Sequence, residues 1–167
     1  MSTSPLAFKA NREVFSTREE AQSSVDFRLL VPGFVPDGLT LRQVSRIAPP
    51  WFVASDGGVG AFVDMIYSGA GRHLAVSQGH TAPLDTRGAP TDSFGPVDIN
   101  GWKATWVDGF LTVDQPLAET HPKDNPTAKW QKGRVFLGWE LDDRLSVRLA
   151  GQGLSVDDLI KVAQSLA

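Results

Sequence analysis

The last fifth of the chain constrains its fold most. Residues 134–166 read RVFLGWE-LDD-RLSVRLA-GQG-LSVDDLIKVAQSL. Val135, Leu137 and Trp139 alternate with less apolar neighbours, the pattern of a half-buried strand. Leu145, Val147 and Leu149 alternate again, and the acidic turn at Asp142 and Asp143 joins the two runs as a hairpin. Gly151 and Gly153 end the pattern. Ser155 is a helix N-cap, with Asp158 at the capping-box position. Val156, Leu159, Ile160, Ala163 and Leu166 follow at helical spacing. Burying four such large side chains is worth roughly 6–12 kcal/mol at ~1.5–3 each. That rivals the net stability of a whole domain, about 5–15 kcal/mol. The helix is therefore expected in the core.

A chain of 167 residues is long enough for one domain with a sizeable core. We expect residues 1–15 to form a loose arm, docked only by Val14 and Phe15, and residues 16–167 to form a single α+β domain. The net charge of -3 and scattered Lys and Arg leave no phosphate-binding face, so nucleic acid is not expected as a partner. Cysteine is absent, which excludes disulfides and cysteine-based metal sites. No run approaches the ~18 apolar residues of a membrane span. The start, MSTSPLAFKANRE, does not read as a signal peptide. The expectation is a soluble chain. Sixteen Gly and eleven Pro imply many turns and a strand-rich fold.

Thr17 and Glu20 mark a second, short capped helix. Pro36-Asp37-Gly38 is a turn. Leu39, Leu41, Val44 and Ile47 read as a strand bulged after Gln43. Residues 59–68 are apolar on both faces, as in a central strand, with Asp64 the exception. Leu74, Val76 and Gln78 line one face of the next. Val97-Asp98-Ile99, Asn100-Gly101 and Trp102-Lys103-Ala104 spell a hairpin with a type I′ turn, setting Asp98 opposite Lys103. Residues 79–96 and 114–133 read as long loops. The expected fold is α+β: one mostly antiparallel sheet of about five to seven strands, with the N-terminal and C-terminal helices packed on one face.

Chemistry is sparse. His73, His80 and His121 have no metal-ligand spacing, so no metal is expected. Ser77 and Ser93 lack the first glycine of a G-x-S-x-G elbow. Gly151-Gln152-Gly153 lacks the third glycine of a dinucleotide loop, and Asp157 and Asp158 beside it suit a helix dipole better than an anion. Asp64 is the one carboxylate inside an apolar strand. It reads either as a catalytic acid of raised pKa or, more simply, as an edge or backbone-bonded residue. Glu140 and Asp142 read as solvated turn residues. Of five tryptophans, Trp106 and Trp139 read as core. Trp51, Trp102 and Trp130, beside turns and loops, are the candidate ligand- or partner-binding residues. No catalytic residue and no cofactor is expected.

The order of these signals resembles a family. FSTREEAQSSVDFRLLVPGFVPDGLTLRQV, then VDMIYS, HLAVSQG, VDINGWKATW and LGWELDDRLSVRLAGQGLSVDDLIKVAQSL are similar to an uncharacterised bacterial domain carried outside the membrane. Its members include outer domains of some anti-sigma factors and relatives of lipoprotein-carrier-like envelope proteins. The resemblance covers residues 16–166 and is strongest in the Trp139 hairpin and in residues 31–44. It implies a non-enzymatic sensing or binding domain whose partner is a protein or an envelope component. It implies an extracytoplasmic place if the chain is an excised outer domain, and a cytoplasmic one if it is a soluble relative. The alternative is a lipid- or small-molecule-binding domain with a cleft between sheet and helices. A hydrolase with dispersed residues is the third reading.

Overall fold

Among the described residues, eight strands alternate their side chains between two faces, and the face that carries the helices holds most of the fully buried apolar positions. The computed structural model describes residues 11–48, 61–80, 84, 86–114, 124–141 and 145–167. The strands are β1 (Asn11–Phe15), β2 (Thr40–Ala48), β3 (Phe62–Gly69), β4 (Arg72–Gly79), β5 (Phe94–Ile99), β6 (Trp102–Val113), β7 (Ala128–Glu140) and β8 (Ser146–Gln152). Helix α1 (Arg18–Ser23) lies between β1 and β2, and α2 (Val156–Gln164) follows β8. All strand pairs are antiparallel, in the order β1-β2-β3-β4-β8-β7-β6-β5. Two four-stranded meanders therefore meet at one seam, β4 against β8.

The register aligns the apolar positions across the seam. Met65 faces Val76, Val76 faces Leu149, Leu149 faces Leu137, and Leu137 faces Trp106. Leu159, Val162 and Ala163 of α2 close over this row, and Leu159 sits where a Gly151 side chain would be. Met65, Val76, Leu137, Leu149 and Leu159 are all fully buried. Both capping signatures are present. The Ser155 hydroxyl accepts from the Asp158 N–H while the Asp158 carboxylate accepts from the Ser155 N–H. The Thr17 hydroxyl accepts from the Glu20 N–H, and the Glu20 carboxylate accepts from Ser16 N–H instead of Thr17. In α2 the fully buried residue beside Leu159 is Val162, while Ile160 is half-buried.

Residues 25–36 form a strap along the helix-bearing face, and side-chain amides hold it. Gln78, buried on β4, accepts from the Leu30 N–H at 2.7 Å and donates to the Leu30 carbonyl at 2.7 Å. Gln22 of α1 does the same to Leu29 N–H (2.8 Å) and Phe27 carbonyl (2.7 Å). Each glutamine supplies the donor and acceptor of a missing strand, which removes the cost of burying bare backbone. Val31 and Ala167 exchange backbone hydrogen bonds in both directions.

The structure corrects the sequence reading in three places. The sheet has eight strands, outside the expected five to seven. Residues 11–15, expected as the end of a loose arm, form edge strand β1, whose backbone pairing with β2 needs no apolar alternation. Residues 128–133 belong to β7, not to a loop. There β6 and β7 run on as a ribbon in which Leu111 faces Trp130 and Val113 faces Ala128. A bulge at Gly109 lets the ribbon diverge. A side chain at Gly109 would collide with the Trp130 ring, and its φ of +118° is accessible to few other residues. The Asn100-Gly101 turn has φ of 53° and 92°, and Asp98 faces Lys103 as expected. The Asp98 carboxylate nevertheless turns back to accept from the Gly101 N–H. Residues 142–144, the acidic turn, lie outside the described residues, but Leu141 N–H donates to the Leu145 carbonyl across it.

Candidate functional site

The polar chemistry of the molecule is on the other face, away from the helices. Outward positions form a row that crosses most of the sheet. Ser45 faces Asp64, Asp64 faces Ser77, Ser77 faces Arg148, Arg148 faces Gly138, and Gly138 faces Thr105. The alternation that sends Leu149, Leu137 and Ala104 inward sends their neighbours Arg148, Gly138 and Thr105 outward. A second outward row contains Lys103, Glu140 and Ser146, with Glu140 directly facing Ser146.

These two rows floor a cleft of about 510 Å³, within the ~300–1,000 Å³ typical of ligand sites. Gly138 is the centre of the floor. Thr105 and Arg148 flank it, two strands apart, so about 10 Å of open floor separates them. Leu84 crosses above Gly138, its side chain about 3.2 Å from where a Cβ would stand. Trp102, 43% exposed, borders the cleft at the turn end of β6, where its register pairs it with the inward Ile99.

The charges are unevenly matched. Asp64 is half-buried and accepts from the Ser77 hydroxyl. Burial raises its pKa from the ordinary 3.8, and the Ser77 hydroxyl and then the Arg12 and Arg148 charges partly oppose the rise. Arg12 reaches the same neighbourhood, donating to the Ser45 hydroxyl at 3.5 Å. Burial lowers the pKa of Arg148, and the Asp64 charge opposes that shift. The Arg148 guanidinium lies 5.4 Å from the centre of the Phe136 ring, a cation–π contact on its outer side. Among the described residues no hydrogen-bond acceptor or ion-pair partner meets it. The Ser146 hydroxyl donates to the Gly79 carbonyl at 3.3 Å. Among the described residues, Thr105, Lys103 and Glu140 present the remaining polar side chains of the cleft.

Of the three tryptophans expected to bind, Trp102 lines this cleft. Trp130 is in the ribbon at the far end of β6, about 30 Å along the strand. Its indole N–H donates to the Asp108 carbonyl at 3.0 Å and its ring covers Gly109. Trp51 lies outside the described residues. Asp64 is in a central strand and is held by a hydroxyl, neither an edge residue nor bonded to backbone. His73 is exposed on β4 and His80 packs edge-on against Phe27, while His121 lies outside the described residues. Among the described residues no three His, Asp or Glu side chains converge as metal ligands, and no helix is long and apolar enough to cross a membrane. Trp139 leaves its indole N–H buried without a partner.

Sequence reasoning gave no site role to Thr105, Gly138, Ser146 and Arg148, read Lys103 only as the partner of Asp98, and read Glu140, the last residue of β7, as a solvated turn residue. One signal was available. Gly138 interrupts the most regular strand of the chain, and a glycine inside a strand marks close approach of another group. Comparison with protein-family models, with curated proteins and with solved structures finds no match to this chain.

Proposed function

We propose that the chain is a non-enzymatic binding domain and that the outer-face cleft is its ligand site. One observation carries the reading: a roofed cleft of ligand size whose polar groups converge from three strands onto a bare glycine floor. Rigid strands are suited to holding such groups in place. The polar groups suit holding more than chemistry. The Ser146 hydroxyl gives its proton to a backbone carbonyl, and neither His73 nor His80 lines the cleft. In the setting that the family resemblance implies, the domain senses an envelope component outside the cytoplasm, and the cleft is the sensing element. The space between sheet and helices, expected as the cleft of a lipid-binding alternative, is occupied by Leu137, Leu149, Leu159 and Val162, all fully buried.

The test is a fragment screen read by amide NMR. Fragments that bind are expected to shift Gly138, Thr105 and Ser146 together, and Thr105→Trp, which fills the floor, is expected to abolish the response. Shifts confined to other parts of the sheet, or none with any fragment, would overturn the assignment.

A further inference from the structure

The unmatched guanidinium of Arg148 says what kind of ligand the cleft takes. Burial has stripped part of its water, Phe136 covers its outer side, and no described acceptor replaces what was lost. A half-buried donor set left open in this way is completed best by a planar acceptor, because a carboxylate accepts two parallel N–H bonds from the guanidinium fork. Asp64 does not fill that role. It lies beyond Ser77, two strands away, and is held by the Ser77 hydroxyl.

The other groups set the remainder of the ligand. Among the described lining residues, Lys103 adds a second positive charge and Glu140 a negative one, a balance of one positive charge. That excess matches an anion, and Glu140 favours one that carries a hydrogen-bond donor beside its negative group. Glu140 is diagonal to Arg148 on the neighbouring strand, so their backbones are about 7–8 Å apart. A short molecule can touch both, but only by offering Glu140 a hydrogen-bond donor. Leu84 above offers contact to an apolar body.

We infer that the cleft recognises a small monocarboxylic acid with a hydroxyl group beside the acid, Arg148 holding the carboxylate and Glu140 the neighbouring donor. This rests on the cleft being the ligand site. Lys103 stands on the far side of Glu140 and steers the acid inward.

A charge series separates the two ideas. The probes are 3-phenyllactate (acid and hydroxyl), 3-phenylpropionate (acid alone), 2-phenylethanol (neutral), phenethylamine (cation) and inorganic phosphate, each titrated against the full chain by amide NMR. Phenyllactate is expected to bind tightest at Gly138 and Thr105, phenylpropionate several-fold more weakly, and the last three least. Arg148→Met is expected to lose at least tenfold in phenyllactate affinity, with Arg148→Lys restoring part of it. A melting curve and an unchanged spectrum away from the cleft show that each variant is folded. Glu140→Gln is expected to tighten phenylpropionate and erase the advantage of phenyllactate. If phenethylamine or phenylethanol binds at the same residues as tightly as phenyllactate, the acid inference fails while the cleft stands. If phenyllactate binds the cleft equally well in Arg148→Met and in the parent, Arg148 is not the anchor and the inference is overturned. If no probe perturbs the cleft, the ligand-site reading falls with it.

Discussion

The two faces of the sheet are written by the same strands and behave as opposites. On the helix-bearing face, Met65, Val76, Leu149 and Leu137 are neighbours in one buried row. One residue along each strand, Asp64, Ser77, Arg148 and Gly138 are neighbours in the outward row. The first row is held by burial alone and tolerates no polar group without a dedicated partner, as Gln78 has in Leu30. The second keeps charges at partial burial with incomplete pairing. The deepest apolar burial is on one side of a single layer, and the half-buried charges are on the other.

The largest expected effect comes from the inner row. Leu137→Ala or Leu149→Ala should cost about 2–5 kcal/mol in urea unfolding, as other buried large-to-small changes do. Thr105→Ala, on the outer face of the same sheet, should stay within about 0.5 kcal/mol. Equal costs would erase the division between the faces.

Gln78→Leu tests whether the strap depends on its amide clamp. It leaves the Leu30 N–H and carbonyl facing an apolar side chain, and should cost about 1–3 kcal/mol. Faster exchange of the Leu30 amide is the accompanying signature, and an unchanged Leu30 amide would mean that the strap is held by its contacts with residues 165–167 instead.

Gly101→Val alters the turn that sets the β5–β6 register. The residue adopts φ of 92°, and a side chain there should cost about 1–2 kcal/mol in thermal or urea melts. An unaltered melting temperature would show that the strands fix the register without the turn.

The smallest effect is the most specific to the outer face. Because burial raises the Asp64 pKa, the folded state binds this proton more tightly than the unfolded chain does. Asp64 therefore favours folding most when protonated. Its contribution declines as pH rises from the unfolded value near 3.8 to the raised folded value, then levels off. Asp64→Asn should remove that decline, so that variant and parent diverge in favour of Asn across this window and run parallel above it. Arg148→Met removes one charge that opposes the shift and should push the Asp64 titration higher still, observable in its carboxyl carbon shift. A downward movement would contradict the assigned electrostatics.

Sequence alone was most legible where burial and local chemistry agree. The runs at Leu74, Val76 and Gln78, at Val135, Leu137 and Trp139, and at Val147 and Leu149 alternate because one face is dry, and alternation is a strong signal. The Asn-Gly turn and both helix caps are similarly local. Strand β1 was hidden because it needs only backbone pairing, and its five residues carry two charges. The first half of β7, Ala128 to Gly133, was hidden because Lys129, Gln131 and Lys132 are exposed there and leave no apolar rhythm. The cleft was illegible for a different reason. Its residues come from β6, β7 and β8, and only the pairing of those strands brings Lys103, Glu140 and Arg148 together. Of the large rings chosen for standing beside turns, Trp102 borders the cleft, while the ribbon carries Trp130 elsewhere.

The seam between β4 and β8 also has a consequence in time. Every other strand pair joins neighbours in the chain, so each meander can form as it is made. Strand β4 ends at residue 79, but its second partner ends at residue 152. At a synthesis rate of about 5–20 residues per second, β4 is an open edge for roughly 4–15 seconds on the ribosome. Its Leu74 and Val76 then have no β8 beside them. The exposed edge is over that interval a template for any strand that presents itself, the β8 of another copy included.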